Sequence, residues 1–106
     1  MSGGARAVLA LAALWLAGSA QAAPVTHTIT IERMAFTPAE VVVHPGDRVV
    51  WVNRDPFPHT ATAASHAFDS GSIAPDKSWS WRAGPAGDYD YVCTLHTTMK
   101  GRVIVR

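Results

Sequence analysis

Beyond residue 22, the aliphatic side chains larger than alanine are almost all branched at Cβ. Residues 23–106 contain ten Val and four Ile, whereas Leu95 is the only Leu in that region. β-Branched side chains are restricted in helices and pack well on the pleated surface of a sheet. The segments that carry them are short and end at turn-forming residues, as at Pro45-Gly46-Asp47. The sequence therefore predicts an all-β domain.

Seven segments of this region have the length and pattern of short strands. Residues 28–31 alternate polar and apolar side chains, which is typical of a half-buried strand. Residues 36–39 are expected to interrupt the strand pattern. The apolar run 48–53 predicts a strand buried on both faces. Short strands at this spacing predict an antiparallel sandwich or barrel of about seven or eight strands. The predicted strands are 28–31, 41–43, 48–53, 60–63, 78–81, 89–93 and 101–105.

The first 22 residues have a different character. Arg6 precedes an apolar run from Ala7 to Ala17, and Ala20-Gln21-Ala22 has the small-x-small pattern of a signal-peptidase site. The run is shorter than the roughly 20 residues of a membrane-spanning helix, although an uncleaved anchor remains the alternative. We expect residues 1–22 to be a cleaved Sec-type signal peptide. The mature chain, residues 23–106, is then a single periplasmic domain that is not inserted in the membrane.

Charge and cysteine content exclude several classes of protein. The mature region carries eight basic and eight acidic side chains, and this balance argues against a nucleic-acid binder, which normally shows a basic stripe. A single cysteine, Cys93, excludes an intrachain disulfide and any Cys-x-x-Cys redox or zinc motif. A chain of 106 residues is also too short for a multidomain enzyme.

Four side chains suggest a metal site. Cys93, His96 and Met99 recur every three residues between two predicted strands, and a loop over this span can bring their donor atoms to one point. His59 follows a stretch made irregular by two prolines, and it can supply a second imidazole. Two His, one Cys and a weak axial Met are the donor set of a blue-copper site.

These residues also have other interpretations. Cys93 alone is compatible with a small buried hydrophobic residue, but an exported free thiol would be open to oxidation. Zinc also binds two His and one Cys, yet a thioether donor favours copper. The remaining histidines, His27, His44 and His66, are scattered and are interpreted as surface residues. The pattern therefore predicts one bound copper ion.

Several segments resemble the cupredoxins, the blue-copper family, and among them most closely the amicyanin branch. The resemblance spans residues 25–106, and the two-residue gap between His96 and Met99 has the spacing of that branch. It implies a Greek-key β-sandwich with copper near one end, bound by His59, Cys93 and His96 as equatorial ligands and by Met99 as the axial one. The segments are Met34-Ala35-Phe36-Thr37-Pro38, Val43-His44-Pro45-Gly46-Asp47, Trp51-Val52-Asn53-Arg54-Asp55, Pro58-His59-Thr60, Gly87-Asp88-Tyr89-Asp90-Tyr91-Val92-Cys93 and the Cys-x-x-His-x-x-Met-Lys-Gly ending.

The resemblance also implies roles for residues beside the ligands. Asn53 would tie the two ligand loops together, and Thr94 and Leu95 would lie against the ligands. The amicyanin branch has proline on both sides of the second histidine, where this chain has Leu95 and Thr97. Because Leu95 retains its N–H, we expect it to donate toward the Cys93 sulfur and raise the reduction potential.

The function implied by the resemblance is one-electron transfer by a monomeric carrier that is not an enzyme. Its partners would be redox proteins such as a c-type cytochrome or a periplasmic dehydrogenase. They would dock on a small apolar patch that includes Pro38, Phe57 and Pro58, around His96 as the ligand nearest solvent. Two alternatives are a periplasmic copper-binding protein for copper delivery or tolerance, and a structural sandwich with an incidental cysteine.

Overall fold

The computed structural model of the protein describes residues 22–106. Apart from Ala22, the expected signal peptide lies outside the described residues. Within this range the chain forms eight strands: β1 (Thr26–Glu32), β2 (Ala35–Thr37), β3 (Glu40–Val43), β4 (Arg48–Asn53), β5 (Thr62–Ala63), β6 (Ser78–Arg82), β7 (Gly87–Val92) and β8 (Lys100–Val105). The structure of residues 22–106 contains no helix that could span a membrane.

The strands form two four-stranded sheets, with the orders β2-β1-β4-β6 and β3-β8-β7-β5. These sheets form a two-layer β-sandwich, which confirms the predicted all-β fold class. The expectation of a purely antiparallel sandwich is wrong, because β1 runs parallel to β4 and β3 runs parallel to β8. The chain changes sheets at every connection from β2 to β7, so neighbouring strands within a sheet are often not consecutive.

Two local expectations also differ from the structure. Residues 35–37 pair with the end of β1 as an antiparallel hairpin, where the sequence predicts a break near 36–39. In β4, side chains alternate between buried and half-buried, so this strand is not buried on both faces as expected. Its buried side faces the opposing sheet, which is the pattern of a two-layer sandwich.

Aromatic side chains fill the space between the sheets. Trp51 is fully buried and packs against Phe68, Trp79 and Tyr91, with ring centroids 5.2, 5.7 and 5.4 Å away. Tyr91 lies across Gly101, its partner on β8, and a Cβ at that position would clash with the ring. Burial also raises the pKa of Tyr91 to about 12. A glycine at position 101 is therefore required by the close approach of the tyrosine.

The register of the strands brings several loops to one end of the sandwich. Ile31 pairs with Asn53, so the β1–β2 turn meets the loop that follows β4. Thr62 pairs with Val92, which places the start of β5 beside the loop that follows β7. The residues predicted to bind a metal all lie in these loops.

Candidate metal centre

His59 lies in the loop that connects β4 to β5. Its backbone pairs with Ile73 of the β5–β6 connection, through His59 N–H to Ile73 O at 3.2 Å and Ile73 N–H to His59 O at 2.7 Å. The side chain is fully buried. Prolines at 56 and 58 remove backbone donors, so this loop cannot continue the β4 ladder. The chain therefore leaves the sheet and presents the imidazole to the interior.

The segment from Cys93 to Met99 folds back on itself. The N–H of Cys93 donates to the carbonyl of Met99 at 3.1 Å, and the N–H of Met99 donates to the carbonyl of His96 at 3.0 Å. Cys93 and Met99 are buried, whereas His96 is partly exposed. These bonds close the loop around the three residues that the sequence spacing singles out.

Three side chains converge on one point. The Nδ1 atom of His59 lies 3.7 Å from the Cys93 Sγ, and the Nδ1 atom of His96 lies 3.8 Å from the same sulfur. The potential ligand atoms of all three residues lie within 4.8 Å of one another. In residues 22–106, this is the only group of three or more His, Cys, Asp or Glu side chains with such a geometry.

The separations between donor atoms test whether a metal ion fits. Bonds of about 2.0–2.1 Å to imidazole nitrogen and about 2.3 Å to thiolate, at roughly trigonal angles, require N···S separations of about 3.8 Å. Both observed separations, 3.7 and 3.8 Å, match this value. A thiolate with two imidazoles in a trigonal arrangement suits copper. The site therefore fits one copper ion without rearrangement of these side chains.

The sulfur of Cys93 accepts a hydrogen bond from the Thr60 N–H at 3.3 Å. The expected bond from Leu95 is wrong: in the described part of the chain, Thr60 supplies the only backbone N–H bonded to this sulfur. The pairing of β5 with β7 brings the residues before Thr62 to the end of β7, and there the Thr60 N–H is within reach of the Cys93 sulfur. Leu95 instead turns outward, with 53% of its surface exposed.

Threonines connect the two ligand loops. The Thr94 N–H donates to the Thr60 Oγ1 at 2.9 Å, and the two hydroxyl oxygens are 3.1 Å apart. The expected role of Asn53 as this connection is wrong. Its amide donates to the carbonyls of Phe57 and Ile73, and its oxygen accepts the Asp55 N–H, so all three bonds secure the loop around His59. Thr94, which lies in the loop that carries Cys93 and His96, thus bonds to the residue that follows His59.

Asp55 is the residue that sequence reasoning missed. Its Oδ2 atom lies 2.8 Å from the Nε2 of His59, and its two oxygens accept the N–H groups of Arg33 and Met34. Burial raises the pKa of Asp55, but these donors outweigh burial and hold the pKa below its ordinary value. Asp55 ends one of the segments that resemble the cupredoxins and lies four positions before a candidate ligand, but its backbone partners are about 20 residues away, where no local pattern indicates them.

Exposed apolar side chains lie on loops that adjoin the site. Phe57 and Pro58 precede His59, Leu95 precedes His96, and all three are exposed. The turn bonded to Asp55 adds Met34, which is 40% exposed and was not predicted. Pro38 is also exposed, but it follows the end of β2 that is farther from this turn.

Comparison with known proteins agrees with this geometry. A family model described as a cupredoxin-like domain matches residues 6–105. The chain is 34% identical over 82 residues to amicyanin of Paracoccus versutus, covering 73% of this chain and 62% of that protein. It is 32% identical over 107 residues to amicyanin-alpha of Methylorubrum extorquens, covering 95% and 87%. The structure matches a Cu(I) form of an amicyanin mutant with a TM-score of 0.73 and 30% identity, covering 81% and 87%.

Proposed function

Since the chain belongs to the cupredoxin family, we propose that it is a blue-copper protein of the periplasm that carries single electrons between redox proteins. The observation that carries the proposal is the convergence of two imidazole nitrogens on the buried sulfur of Cys93. A bound copper ion supplies the chemistry by alternating between Cu(I) and Cu(II). The chain has no substrate of its own in this proposal.

The ligands in this proposal are His59, Cys93 and His96 in the equatorial plane and Met99 in the axial position. Soft sulfur suits Cu(I), and imidazole suits both oxidation states. Three of the four side chains are buried, and hydrogen bonds close the loop that carries Cys93, His96 and Met99. Such a packed site keeps its donors in place and excludes water while the charge of the ion changes.

Electrons enter and leave through His96 in this proposal, because it is the one partly exposed imidazole of the site. Met34, Phe57, Pro58 and Leu95 would form the docking patch around it; Met34 takes the place expected for Pro38. A small apolar patch suits transient contact with a partner such as a c-type cytochrome or a periplasmic dehydrogenase. The equal numbers of acidic and basic residues in 23–106 favour this contact over long-range electrostatic steering.

We also propose that residues 1–22 act as a signal peptide that is removed on export, leaving a monomer of residues 23–106. The support for this step is the short apolar run followed by Ala20-Gln21-Ala22. Mass spectrometry of protein isolated from a periplasmic extract tests it. A mass that corresponds to a chain beginning at Ala23 is expected, and a mass that retains the leader would contradict cleavage.

The optical and electron paramagnetic resonance spectra of the copper-loaded protein test the proposed site. We expect the intense visible absorption of a copper–thiolate bond, which disappears on reduction and returns on oxidation. The variant Cys93→Ala, in which the thiolate is removed, should remain colourless under the same loading. A wild-type protein that binds copper without colour would rule out the blue-copper assignment.

The alternative function, copper delivery or tolerance, predicts a different behaviour. Proteins that hand over copper need ligands accessible to a recipient, whereas His59, Cys93 and Met99 are buried. We therefore expect electron exchange with a soluble cytochrome to be much faster than transfer of Cu(I) to a chelator. Rapid loss of copper with slow electron exchange would favour the alternative.

A further inference from the structure

Three nitrogen atoms contact the two carboxylate oxygens of Asp55. Oδ1 accepts the Arg33 N–H at 2.7 Å, while Oδ2 accepts the Met34 N–H at 3.0 Å and lies 2.8 Å from the His59 Nε2. Arg33 and Met34 both have positive φ, at 54° and 59°, in the tight β1–β2 turn. This turn aims both N–H groups at one buried carboxylate. The contact with His59 thus belongs to a preformed cluster of hydrogen bonds.

An ionised carboxylate accepts hydrogen bonds and donates none, so its contact with His59 requires the proton of the imidazole on Nε2. In the neutral imidazole, the other ring nitrogen, Nδ1, is then unprotonated and has a free lone pair. That nitrogen is the one 3.7 Å from the Cys93 sulfur. The hydrogen bond on one side of the ring thereby selects the tautomer that can bind a metal on the other side.

We propose that Asp55 is a positioning residue that holds His59 in the Nε2–H tautomer before copper binds, and that its carboxylate then stabilises the oxidised site. The proposal rests on the proposed role of His59 as a ligand. A negative charge hydrogen-bonded to a ligand increases the electron density of the imidazole and favours Cu(II) over Cu(I). Removal of the charge is expected to raise the reduction potential.

The chain contains a matched control for this idea. Asp47 is also buried and accepts two backbone N–H groups, from Val25 and His44, and its Oδ2 lies 2.9 Å from the Nε2 of His27. The strand β4 separates the two aspartates, and its six residues span about 20 Å at about 3.3 Å each. Substitution of Asp47 therefore perturbs the same kind of cluster at a distance from the copper site.

The first experiment needs no variant. A long-range proton–nitrogen correlation spectrum of the copper-free, isotope-labelled wild-type protein identifies the tautomer of each histidine. We expect His59 to carry its proton on Nε2, with slow exchange against solvent. Protonation on Nδ1, or a mixture of both tautomers, would overturn the proposal. This result is independent of the blue colour, so the positioning role can fail while the blue-copper assignment stands.

The second experiment compares Asp55→Asn with Asp47→Asn. Loss of a partner that orients a ligand typically weakens metal affinity about 10- to 100-fold. We expect Asp55→Asn to weaken Cu(II) binding in this range, measured by competition with a chelator, and to raise the reduction potential. Asp47→Asn should leave both quantities near their wild-type values. Unchanged binding and potential in folded Asp55→Asn, or equal changes in both variants, would show that Asp55 has only a structural role.

Discussion

The two ends of β4 are built in the same way, but only one of them is a metal site. Asp47 directly precedes the strand and Asp55 follows it by two residues, and each buried carboxylate accepts two backbone N–H groups and contacts an imidazole Nε2. Each cluster fastens one end of β1 to the corresponding end of its parallel neighbour β4. A buried aspartate that contacts a histidine therefore secures the fold at both ends.

The difference between the ends lies in what faces the second nitrogen of the imidazole. At the copper end, the loop that begins at Cys93 brings a thiolate and the imidazole of His96 to the Nδ1 of His59. At the opposite end, His27 belongs to no comparable group among residues 22–106 and its side chain is 22% exposed. His27 is also less exposed than the sequence suggests, because it packs against Asp47. The metal site thus depends on the loop that begins at Cys93. That loop adds donor atoms to an aspartate–histidine contact of a kind that also occurs at the other end of β4.

The largest expected effect is on the visible absorption, when the imidazole of His59 is removed and the result is compared with removal of the imidazole of His27. In His59→Ala, the copper site loses an equatorial donor, and we expect the blue absorption to disappear. His27→Ala deprives Asp47 of the equivalent partner but should retain the visible spectrum of the wild type. Absorption after copper loading, with circular dichroism as a check of folding, measures both variants. A blue spectrum that survives His59→Ala unchanged would abolish the distinction between the two ends.

A second effect is on stability against acid. The N–H donors of Val25 and His44 and the contact with His27 hold the pKa of Asp47 well below its ordinary value of 3.8. A carboxyl whose pKa is lowered by folding stabilises the fold above its unfolded-state pKa, and that contribution is lost as the pH falls toward the folded-state value. We expect Asp47→Asn to be less stable than the wild type near neutral pH and the difference to shrink in acid.

Urea unfolding of the copper-free proteins at about pH 7 and about pH 3 measures this change. A stability difference that stays constant between the two conditions would contradict the role of the Asp47 charge. The copper-free form is used because copper at the opposite end adds its own pH dependence through the protonation of its ligands.

The sequence predicts those parts of the molecule that depend on local pattern. The abundance of Val and Ile indicates sheets, and the ligand loop is found from Cys93, His96 and Met99 because all three lie within one turn-forming segment. The wrong expectations concern contacts between distant segments. The N–H that reaches the sulfur comes from Thr60 because β5 pairs with β7 at a particular register. A shift of one residue in register would turn these side chains to the other face of the sheet.

The contacts of Asp55 also show that local sequence does not indicate which distant segments will meet. Its carboxylate contacts His59 four residues away, which is within reach of sequence reasoning, but the N–H groups of Arg33 and Met34 are more than 20 residues earlier. Nothing in the local sequence indicates that the β1–β2 turn will meet the loop after β4. The parallel alignment of β1 with β4 brings them together, and the sequence suggests only antiparallel neighbours.

A smaller effect on the free energy of unfolding is expected from the hydrogen bond between Thr60 and Thr94, which joins two loops at the copper end. The Thr60 hydroxyl accepts the Thr94 N–H and so joins the two ligand loops. Thr60→Val keeps the shape of the side chain but leaves this N–H without its partner, and we expect a loss of about 1 kcal/mol in the free energy of unfolding. Thr62→Val, which removes a neighbouring hydroxyl that only donates, is the matched control and should cost less. Equal losses would show that the hydroxyl of Thr60 does not specifically join the loops.

The smallest effect should distinguish the two histidines near Asp47. His44 has its Nδ1 3.8 Å from the carboxylate, but 77% of its side chain is exposed, and its backbone N–H already donates to Asp47. Exposed ion pairs contribute little, and surface substitutions usually change stability by less than about 0.5 kcal/mol. His44→Ala keeps the backbone donor, so its unfolding midpoint should remain close to that of the wild type. If His44→Ala and His27→Ala lower the free energy of unfolding equally, the cluster at Asp47 depends on both imidazoles. It would then differ from the cluster at Asp55, which contains one imidazole.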